Sequence, residues 1–428
     1  MASEPVRDTT ETPTFSVSPP TRIFISAGEA SGEHYGALLI PAIRRLAPGA
    51  NFFGLGGQRM EAAGLERIVR AENVAVMGIT EVIRHMPHIY REYRKLKRSL
   101  QPGADGRPSA DAAILIDFPD VNLGLARELH RLRVPVIYFV SPQLWAWKKH
   151  RIAQVRRHVD KMLVIFPFEQ SFYEEHGIAA TFVGHPLADE PPPAISREEF
   201  AQRYGLNLAE NWVGLLPGSR LKEIELNLPT MLEAASKLGE EVAFLLPLAA
   251  TLTAEHRVKV VSMLAAHAAA APRARQVVLV DDARAALFHA CASVVASGTA
   301  TVEAAMAGNP FVVIYRISPL SYAVAKRVVK VPFVAMVNLI AGREAVPELI
   351  QGDFTAANVV LHLRRLMHNE DDREKMKEDL RQVTARLHAA GTGSATAIER
   401  VAKIVVRIIW ERNRDLEPAS PEFLSKTE

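Results

Sequence analysis

Short apolar runs alternate with amphipathic helical patterns from residue 21 onward, a rhythm typical of βα units around a parallel sheet. Most of the runs are continuously apolar, as expected for strands that helices cover on both faces. The predicted strands are residues 22–26, 51–55, 112–116, 135–140, 161–166 and 180–184 in the first half, and 213–217, 242–247, 276–280, 292–297 and 310–315 in the second. The pattern therefore predicts an α/β protein.

A proline-rich segment, residues 189–196 (DEPPPAIS), interrupts this rhythm. Three successive prolines can join neither a helix interior nor a central strand, so this segment is the predicted linker. It separates two doubly wound, Rossmann-like domains, residues 21–188 and 197–390. The other predicted parts are a disordered leader over residues 1–20, helical periodicity over residues 355–410 with a break at 391–394, a C-terminal helix over residues 391–412 and a flexible tail over residues 413–428.

The composition is that of a globular protein, because 48% of the 428 residues are apolar and 23% are charged. The 51 basic and 48 acidic residues leave a net charge of +3, which does not indicate a nucleic-acid partner. A single cysteine, Cys291, excludes internal disulfides and a multi-cysteine metal site and favours the reducing cytoplasm. We expect it to be a buried thiol at a strand edge. The sequence contains neither DxD nor HExxH, so it indicates no catalytic metal.

A glycine-rich turn follows the first predicted strand, in the segment SAGEASGEHYG. Gly28 and Gly32 permit a ligand to approach the backbone, and Glu29 and Ser31 offer polar groups at the start of a helix. The alternative is a tight turn in which Glu33 only stabilises the helix start.

A second candidate, IDFPDVN, places Asp117, Asp120 and Asn122 just beyond a buried strand, at the sheet edge where open α/β proteins bind ligands. One carboxylate would act as a general base toward a hydroxyl. The alternative makes Asp117 a helix cap and Asp120 a residue that complements the helix dipole.

The second half carries two further strand-to-helix turns. In LLPGSR, Gly218 permits the turn, Ser219 offers a hydroxyl, and Arg220 has a fork suited to two phosphate oxygens. In ASGTATVE, the amides of Ser297, Gly298 and Thr299 lie at a helix start suited to a diphosphate, and Glu303 would accept the ribose hydroxyls. Two phosphate-suited turns in one domain indicate a nucleoside diphosphate.

Three further features have both a functional and a structural interpretation. The stretch of residues 80–100 combines apolar residues at helical spacing with a basic flank, so it suits either an anionic membrane surface or a core helix with a solvated face. The tryptophans Trp145 and Trp147 suit sugar stacking, a membrane surface or plain packing. His34 and His185 are interpreted as structural.

The sequence resembles lipid-A-disaccharide synthases, which are inverting glycosyltransferases of the GT-B fold. The resemblance runs from about Ile23 to Leu387 and is carried by nine motifs in order: AGEASGE, MGITEV, IDFPDVN, VSPQLWAWKKHR, FPFE, GHPLAD, LLPGSR, ASGTATVE and NLIAGREAVPEL. One departure is Glu33, where the family usually has Asp.

The resemblance implies transfer from UDP-2,3-diacylglucosamine to 2,3-diacylglucosamine 1-phosphate, giving the β-1,6-linked lipid A disaccharide 1-phosphate and UDP without a cofactor or metal. It makes Asp120 the base, places Glu29 on the acceptor side, and places Arg220, Glu303 and Asn338 on the UDP side. It further implies peripheral attachment to the cytoplasmic face of the inner membrane of a Gram-negative-type bacterium. Family members form homodimers with exchanged C-terminal segments, in which Asn338 would serve the partner's site.

Two other classes of function remain open at this point. Another GT-B transferase or a UDP-sugar epimerase would use the same Arg220 and Glu303 chemistry. A non-catalytic nucleotide sensor at a membrane surface would keep the nucleotide site and need no base.

Overall fold

The computed structural model describes residues 21–73, 79–103, 106, 108–146, 151–238, 242–249, 252–271, 277–328, 331–389 and 394–416. Two parallel sheets organise these residues. The first sheet has seven strands in the order β3-β2-β1-β4-β5-β6-β7. Its strands are β1 (Arg22–Ala27), β2 (Asn51–Gly56), β3 (Leu65–Arg70), β4 (Ala112–Ile116), β5 (Val136–Phe139), β6 (Lys161–Val164) and β7 (Ala180–Phe182).

The second sheet has six strands in the order β10-β9-β8-β11-β12-β13. Its strands are β8 (Asn211–Leu216), β9 (Val242–Pro247), β10 (Val277–Val280), β11 (Ala292–Ala296), β12 (Phe311–Tyr315) and β13 (Glu348–Ile350). The central strands β4, β9 and β11 are buried along their whole length, as their continuous apolar sequences predict.

Helices cover both faces of each sheet. Those before the linker are α1 (Ala30–Leu46), α2 (Gln58–Ala62), α3 (Ile79–Ser99), α4 (Pro119–Arg131), α5 (Ile152–His158) and α6 (Pro167–Glu174). Those after it are α7 (Arg197–Tyr204), α8 (Leu221–Leu238), α9 (Ala254–Ala270), α10 (Ala283–His289), α11 (Thr299–Met306), α12 (Pro319–Val328), α13 (Met336–Ala341), α14 (Ala356–His368), α15 (Glu370–Leu387) and α16 (Ala397–Leu416). The structure thus has the predicted α/β class, with a helical C-terminal segment.

The C-terminal helix α16 crosses back from the second sheet to pack on α1 of the first. The Arg412 guanidinium donates to the Asp111 carbonyl at 2.8 Å, and the Arg400 Nε donates to the Val183 carbonyl at 2.7 Å. The helix ends at Leu416, so residues 413–416, which the sequence analysis placed in the flexible tail, are helical.

Two strands differ from the sequence prediction because they do not have continuous apolar sequences. β3 reads LERIVR and lies at the sheet edge, where only one neighbour pairs with it and charged side chains reach solvent. β13 has three residues and also lies at an edge. Both were missing from the predicted strands.

Several sequence-based expectations lie outside the described residues. These are the leader over residues 1–20, most of the tail, Trp147, the break at residues 391–393, and the side chains of residues 79–86 in the basic helix α3. Among the described residues, no helix combines the length and apolar character needed to cross a bilayer.

Candidate active site at the two switch points

The predicted ligand-binding turns lie at corresponding positions of the two sheets. Strand order reverses between β1 and β4 in the first sheet and between β8 and β11 in the second. The Gly28 turn follows β1 and the Asp117 turn follows β4, while the Arg220 and Gly298 turns follow β8 and β11. Ligands of open α/β sheets bind at such switch points. The fold therefore brings the motifs together in two pairs.

The two turns of the first domain touch through Gly28 and Phe118. A Cβ atom added at Gly28 would lie 2.3 Å from the Phe118 ring, so the approach requires glycine. Asp117 and Phe118 both have left-handed backbone conformations, with φ of 47° and 50°. Each such non-glycine residue costs about 1–3 kcal/mol, and this kind of strain is concentrated at functional sites.

The Asp117 carboxyl is largely buried beside Glu29. Burial, reinforced by the negative charge of Glu29, raises the pKa of Asp117 to about 7. Burial and the charges of Asp117, Glu29 and Asp120 also raise the pKa of Tyr138, whose hydroxyl donates to the Asp117 carbonyl at 2.6 Å.

Asp120 occupies the first turn of α4, where Pro119 begins the helix. Its side chain is 68% exposed, and its Oδ1 lies 2.7 Å from Nη1 of Arg151. An exposed carboxylate at the carboxyl edge of the sheet can meet a hydroxyl of an incoming acceptor. Asp120 and Asp117 thus differ sharply in solvation although they are three residues apart.

Asn122 is fully buried and is hydrogen-bonded to the chain itself. Its Oδ1 accepts from the Ser26 hydroxyl at 2.6 Å, and its Nδ2 donates to the carbonyls of Asp117 at 2.7 Å and Ile116 at 3.1 Å. These contacts tie the end of β1 to the end of β4. The sequence analysis expected Asn122 to touch substrate, whereas the structure places it beneath the turn.

The remaining residues of the first turn are either partly exposed to solvent or in contact with the rest of the fold. Ser31 is partly exposed at the start of α1, and Gly32 is buried, with its added Cβ 3.4 Å from Ile116. Glu33 accepts from the Arg59 amide at 2.9 Å, at the start of α2. Glu33 thus stabilises the start of α2, whereas the sequence-based alternative had it stabilise the start of its own helix.

The Arg220 turn of the second domain is held by a carboxylate of its own helix. Glu223 Oε2 accepts from the amides of Ser219 at 3.0 Å and Arg220 at 3.3 Å, and Oε1 lies 3.1 Å from Nη1 of Arg220. Gly218 has φ of 128°, and an added Cβ there would collide with Glu223. Arg220 is 72% exposed, so its charge faces solvent at the carboxyl edge of the sheet.

The Gly298 turn begins α11, with Gly298 and Thr299 exposed and Ser297 partly exposed. Ser297 Oγ donates to the Val334 carbonyl at 3.1 Å, which ties this turn to the segment before α13. Glu348 accepts from the amides of Val334 and Ala335 at 2.9 Å each and so fixes that segment. These hydrogen bonds therefore hold the exposed start of α11 in place.

Asn338 is fully buried on α13. Its Oδ1 accepts from the amides of Ala345 at 2.8 Å and Val346 at 3.0 Å, and its Nδ2 donates to Glu348 at 2.8 Å. A further bond joins Nδ2 to the Val346 carbonyl at 2.9 Å. In this chain, the Asn338 side chain organises the loop of the NLIAGREAVPEL motif.

The pKa of Tyr35 responds to carboxylates from both halves of the chain. This tyrosine of α1 is 2% exposed, and burial raises its pKa, with further contributions from the negative charges of Glu303, Glu190 and Asp117. Asp117 belongs to the first domain and Glu303 to the second. Carboxylates that follow strands of both sheets thus act on the pKa of Tyr35. Burial also raises the pKa of Glu303 itself.

Three site residues were not selected from the sequence as functional. His34 Nε2 lies 2.7 Å from Glu190 Oε1, and Glu190 Oε2 lies 2.6 Å from Nη1 of Arg284. The sequence signal was slight, since His34 follows the glycine-rich motif and Glu190 lies in the predicted linker. His185 behaves as expected of a structural residue, because burial lowers its pKa to about 3.

A buried cluster explains the motifs VSPQLWAW and FPFE. Glu169 accepts from the hydroxyl of Ser141 at 2.6 Å and from Nε1 of Trp145 at 3.2 Å, and burial raises its pKa to about 7. The Trp145 ring packs edge-on against Phe168, with centroids 5.1 Å apart. These contacts favour the packing interpretation of Trp145. Cys291 is partly buried just before β11, and burial raises the pKa of its thiol.

Solved glycosyltransferase and epimerase structures share the fold of this chain. The chain matches the UDP-GlcNAc 2-epimerase of Neisseria meningitidis bound to UDP-GlcNAc with a TM-score of 0.59 and 13% identity, over 91% of this chain and 100% of that one. It matches a calicheamicin glycosyltransferase with a TM-score of 0.54 and 14% identity, over 92% and 99%. At these identities the likeness shows the fold alone, and the GT-B expectation is confirmed.

Sequence relatives are far closer. The chain is 61% identical over 395 residues to the lipid-A-disaccharide synthase of Acidobacterium capsulatum, covering 91% of this chain and 97% of that one. It is 48% identical over 393 residues to the enzyme of the same name from Koribacter versatilis, covering 92% and 100%. The family model for lipid-A-disaccharide synthetase matches residues 23–404. The chain therefore belongs to the lipid-A-disaccharide synthetase family of glycosyltransferases.

Proposed function

We propose that the cleft between the two sheets joins UDP-2,3-diacylglucosamine to 2,3-diacylglucosamine 1-phosphate. The acceptor 6-hydroxyl oxygen attacks the anomeric carbon of the donor from the face opposite UDP. The new C–O bond forms as the bond to the diphosphate breaks, which inverts the anomeric centre and yields the β-1,6 disaccharide 1-phosphate and UDP. The observation that carries this proposal is the position of the motif turns at the two switch points, with the acidic turns after β1 and β4 and the phosphate-suited turns after β8 and β11.

Asp120 is the proposed general base. It is exposed at the sheet edge, and a carboxylate there can accept the 6-hydroxyl proton as the bond to carbon forms. Asp117 and Glu29 are proposed to bind the acceptor sugar from the buried side of the same turn, together with Gly28, Ser31 and Gly32. Asn122 is proposed to be a positioning residue, because its buried hydrogen bonds hold the turn.

The second domain is proposed to hold the UDP group. Arg220 and the amides of Gly298 and Thr299 would stabilise negative charge on the departing diphosphate, and Ser219 lies beside Arg220. The Ser297 amide supports this turn by donating to the Ile314 carbonyl at 2.9 Å. Preorganised donors of this kind are commonly worth about 10²–10³ in turnover each. Glu303 would accept the ribose hydroxyls, and Asn338 would act through the loop that it organises.

The test is Asp120→Asn, assayed by mass spectrometry of the lipid product and by calorimetric titration with UDP. We expect turnover to fall by about 10²–10⁴ with UDP affinity unchanged. Asp281→Asn is the matched control, because Asp281 is also an exposed carboxylate, lying 3.9 Å from Arg257. Retained turnover in Asp120→Asn would remove Asp120 from the mechanism.

The same assay separates the rival functions. An epimerase or a transferase of soluble sugars would act on deacylated UDP-glucosamine, whereas the proposed enzyme requires acylated donor and acceptor. A nucleotide sensor would keep its biological activity in Asp120→Asn. Product with the expected disaccharide mass from the two acylated substrates alone would support the proposal against both.

Attachment to the cytoplasmic face of the inner membrane is proposed to use helix α3. In its described second half, Tyr90 is 60% exposed and Arg94 stacks on its ring at 5.7 Å, with Arg91 also exposed. An aromatic ring flanked by cations suits an anionic lipid surface. Tyr90→Ser with Arg94→Glu should weaken sedimentation with phosphatidylglycerol vesicles, and Leu361→Ser with Arg364→Glu on α14 is the control. Equal sedimentation of both variants would exclude α3.

A homodimer with exchanged C-terminal segments is proposed to use the contact between α16 and α1 between two copies. Arg45 of α1 lies 3.8 Å from Glu399 of α16. Arg45→Cys and Glu399→Cys chains, made separately and mixed with a bifunctional maleimide, should give a cross-linked dimer. Cross-linking confined to a chain carrying both changes would show that the contact stays within one copy.

A further inference from the structure

The linker carboxylate Glu190 joins the two domains through its two oxygens. Oε1 contacts His34 of α1 at 2.7 Å, and Oε2 contacts Nη1 of Arg284 of α10 at 2.6 Å. Arg284 also donates through Nη2 to the carbonyls of Glu190 at 3.1 Å and Pro191 at 2.7 Å. One guanidinium thus holds both the side chain and the backbone of the linker.

This network lies beside the proposed ribose-binding carboxylate. The charges that act on Glu303 are Glu190, which opposes its ionised form, and Arg284 and His34, which favour it. The short turn Pro186–Asp189, immediately before Glu190, packs on α11, the helix that carries Glu303. The helix α10, which carries Arg284, also packs on α11, so the Arg284–Glu190 ion pair belongs to elements that contact the helix of Glu303.

The charge on Glu303 matters for its proposed task. An ionised carboxylate accepts two hydrogen bonds from a ribose diol, whereas a protonated one must donate at one oxygen. Without a cation between them, two adjacent carboxylates share a proton, because both cannot ionise at little cost. A cation that pairs with Glu190 therefore favours the ionised form of Glu303 that the proposed ribose contact needs.

We propose that Arg284 is a positioning residue for donor binding, which keeps Glu303 available to the ribose by neutralising Glu190 while it fixes the linker between the domains. This inference rests on the proposed role of Glu303. Arg284 is not placed at the reacting atoms, so its effect falls on the donor and not on the chemical step. It binds no substrate itself.

The experiment compares Arg284→Gln, Arg284→Lys and Arg284→Gln with Glu190→Gln, by steady-state kinetics and calorimetric titration with UDP. Arg284→Gln should raise the donor KM and weaken UDP binding about tenfold, with kcat and acceptor KM changed less than about twofold. Arg284→Lys keeps the charge and should recover about half of that loss on a logarithmic scale. Asp372→Asn is the matched control, because Asp372 forms an ion pair with Arg365 and its side chain, like that of Glu190, is 22% exposed.

The double variant decides between a charge effect and a purely structural tether. Removing Glu190's charge as well should restore UDP affinity to within about threefold of the parent, since Glu303 no longer faces a second carboxylate. A tether would give a double variant no better than Arg284→Gln, and that result would overturn the inference. So would an unchanged donor KM in Arg284→Gln. Glu303→Gln is measured alongside: weakened UDP binding there with none in Arg284→Gln refutes only this inference, whereas no weakening in either also refutes the proposed role of Glu303.

Discussion

Replacing Asp117 with asparagine should stabilise the protein while it slows the enzyme. The carboxyl is kept in a site that disfavours its ionised form, since burial and the charge of Glu29 raise its pKa from 3.8 to about 7. Asparagine has nearly the same shape and also tolerates the left-handed conformation that Asp117 adopts, with φ of 47°. The substitution therefore removes the charge with little change in the backbone.

The size of the effect follows from linkage between protonation and folding. A folded-state pKa above the unfolded value means that stability is greatest below about pH 4 and falls as the pH rises toward 7. At about 1.4 kcal/mol per pH unit, the full cost above pH 7 is about 4 kcal/mol. Because the side chain keeps some contact with solvent, we expect Asp117→Asn to gain about half of this, about 2 kcal/mol, at pH 8.

Urea unfolding followed by tryptophan fluorescence at pH 5 and pH 8 measures this gain. The advantage of Asp117→Asn should be larger at pH 8 by about 1 kcal/mol or more, and turnover should fall by about tenfold because a charged acceptor of hydrogen bonds is lost. Asp120→Asn, at an exposed position, should change stability by less than about 1 kcal/mol at both pH values. An equal gain at both pH values, or a loss at pH 8, would refute the assignment of a buried, strained carboxyl.

Three further substitutions test other parts of the site. Gly28→Ala should destabilise the protein by about 1–3 kcal/mol in urea unfolding, because its Cβ would lie 2.3 Å from the Phe118 ring; Phe118→Ala in the same chain should recover part of the loss, and no recovery would contradict the contact. Arg220→Ala should lower turnover about 10²-fold while the unfolding free energy changes by less than about 1 kcal/mol, since its side chain is 72% exposed; parental turnover would exclude Arg220 from the diphosphate site. Asn338→Ala should cost about 2–4 kcal/mol in the same unfolding assay, because its four hydrogen bonds are buried, and a smaller loss would argue against its role in holding the loop.

The sequence located the central strands and the sheet edges where the site forms. The apolar runs at residues 112–116 and 242–247 match β4 and β9 without a shift, because a strand covered on both faces must be apolar at every position. The search for continuous apolar runs missed β3 and β13, because edge strands tolerate charge. The sequence also does not predict that α16 packs on α1, since helical periodicity identifies an apolar face but not the element that covers it.

The motifs lie at the switch points of the two sheets, but the sequence does not distinguish their exposed side chains from those that hold the turns in place. Asn122 and Asn338 lie within ligand-suited motifs, yet both are fully buried among backbone groups. Residues that touch a ligand and residues that hold a loop in place occur in the same motif. Only the hydrogen bonds of the folded chain distinguish the two kinds. Glu190 and Arg284 show the converse, because residues that are 94 positions apart meet only in the folded chain.

Different kinds of contact hold the two parts of the candidate site in shape. On the acceptor side, buried contacts from Asn122 and Tyr138 fix the strained turn around Asp117, so its carboxyl is in place before any sugar arrives. On the donor side, Glu223 already occupies the amides of Ser219 and Arg220. A diphosphate that reaches these amides must share them with that carboxylate or displace it. The turn proposed to bind the acceptor is therefore rigid and costs stability, whereas the turn proposed to bind the nucleotide keeps its shape through contacts that a ligand can replace.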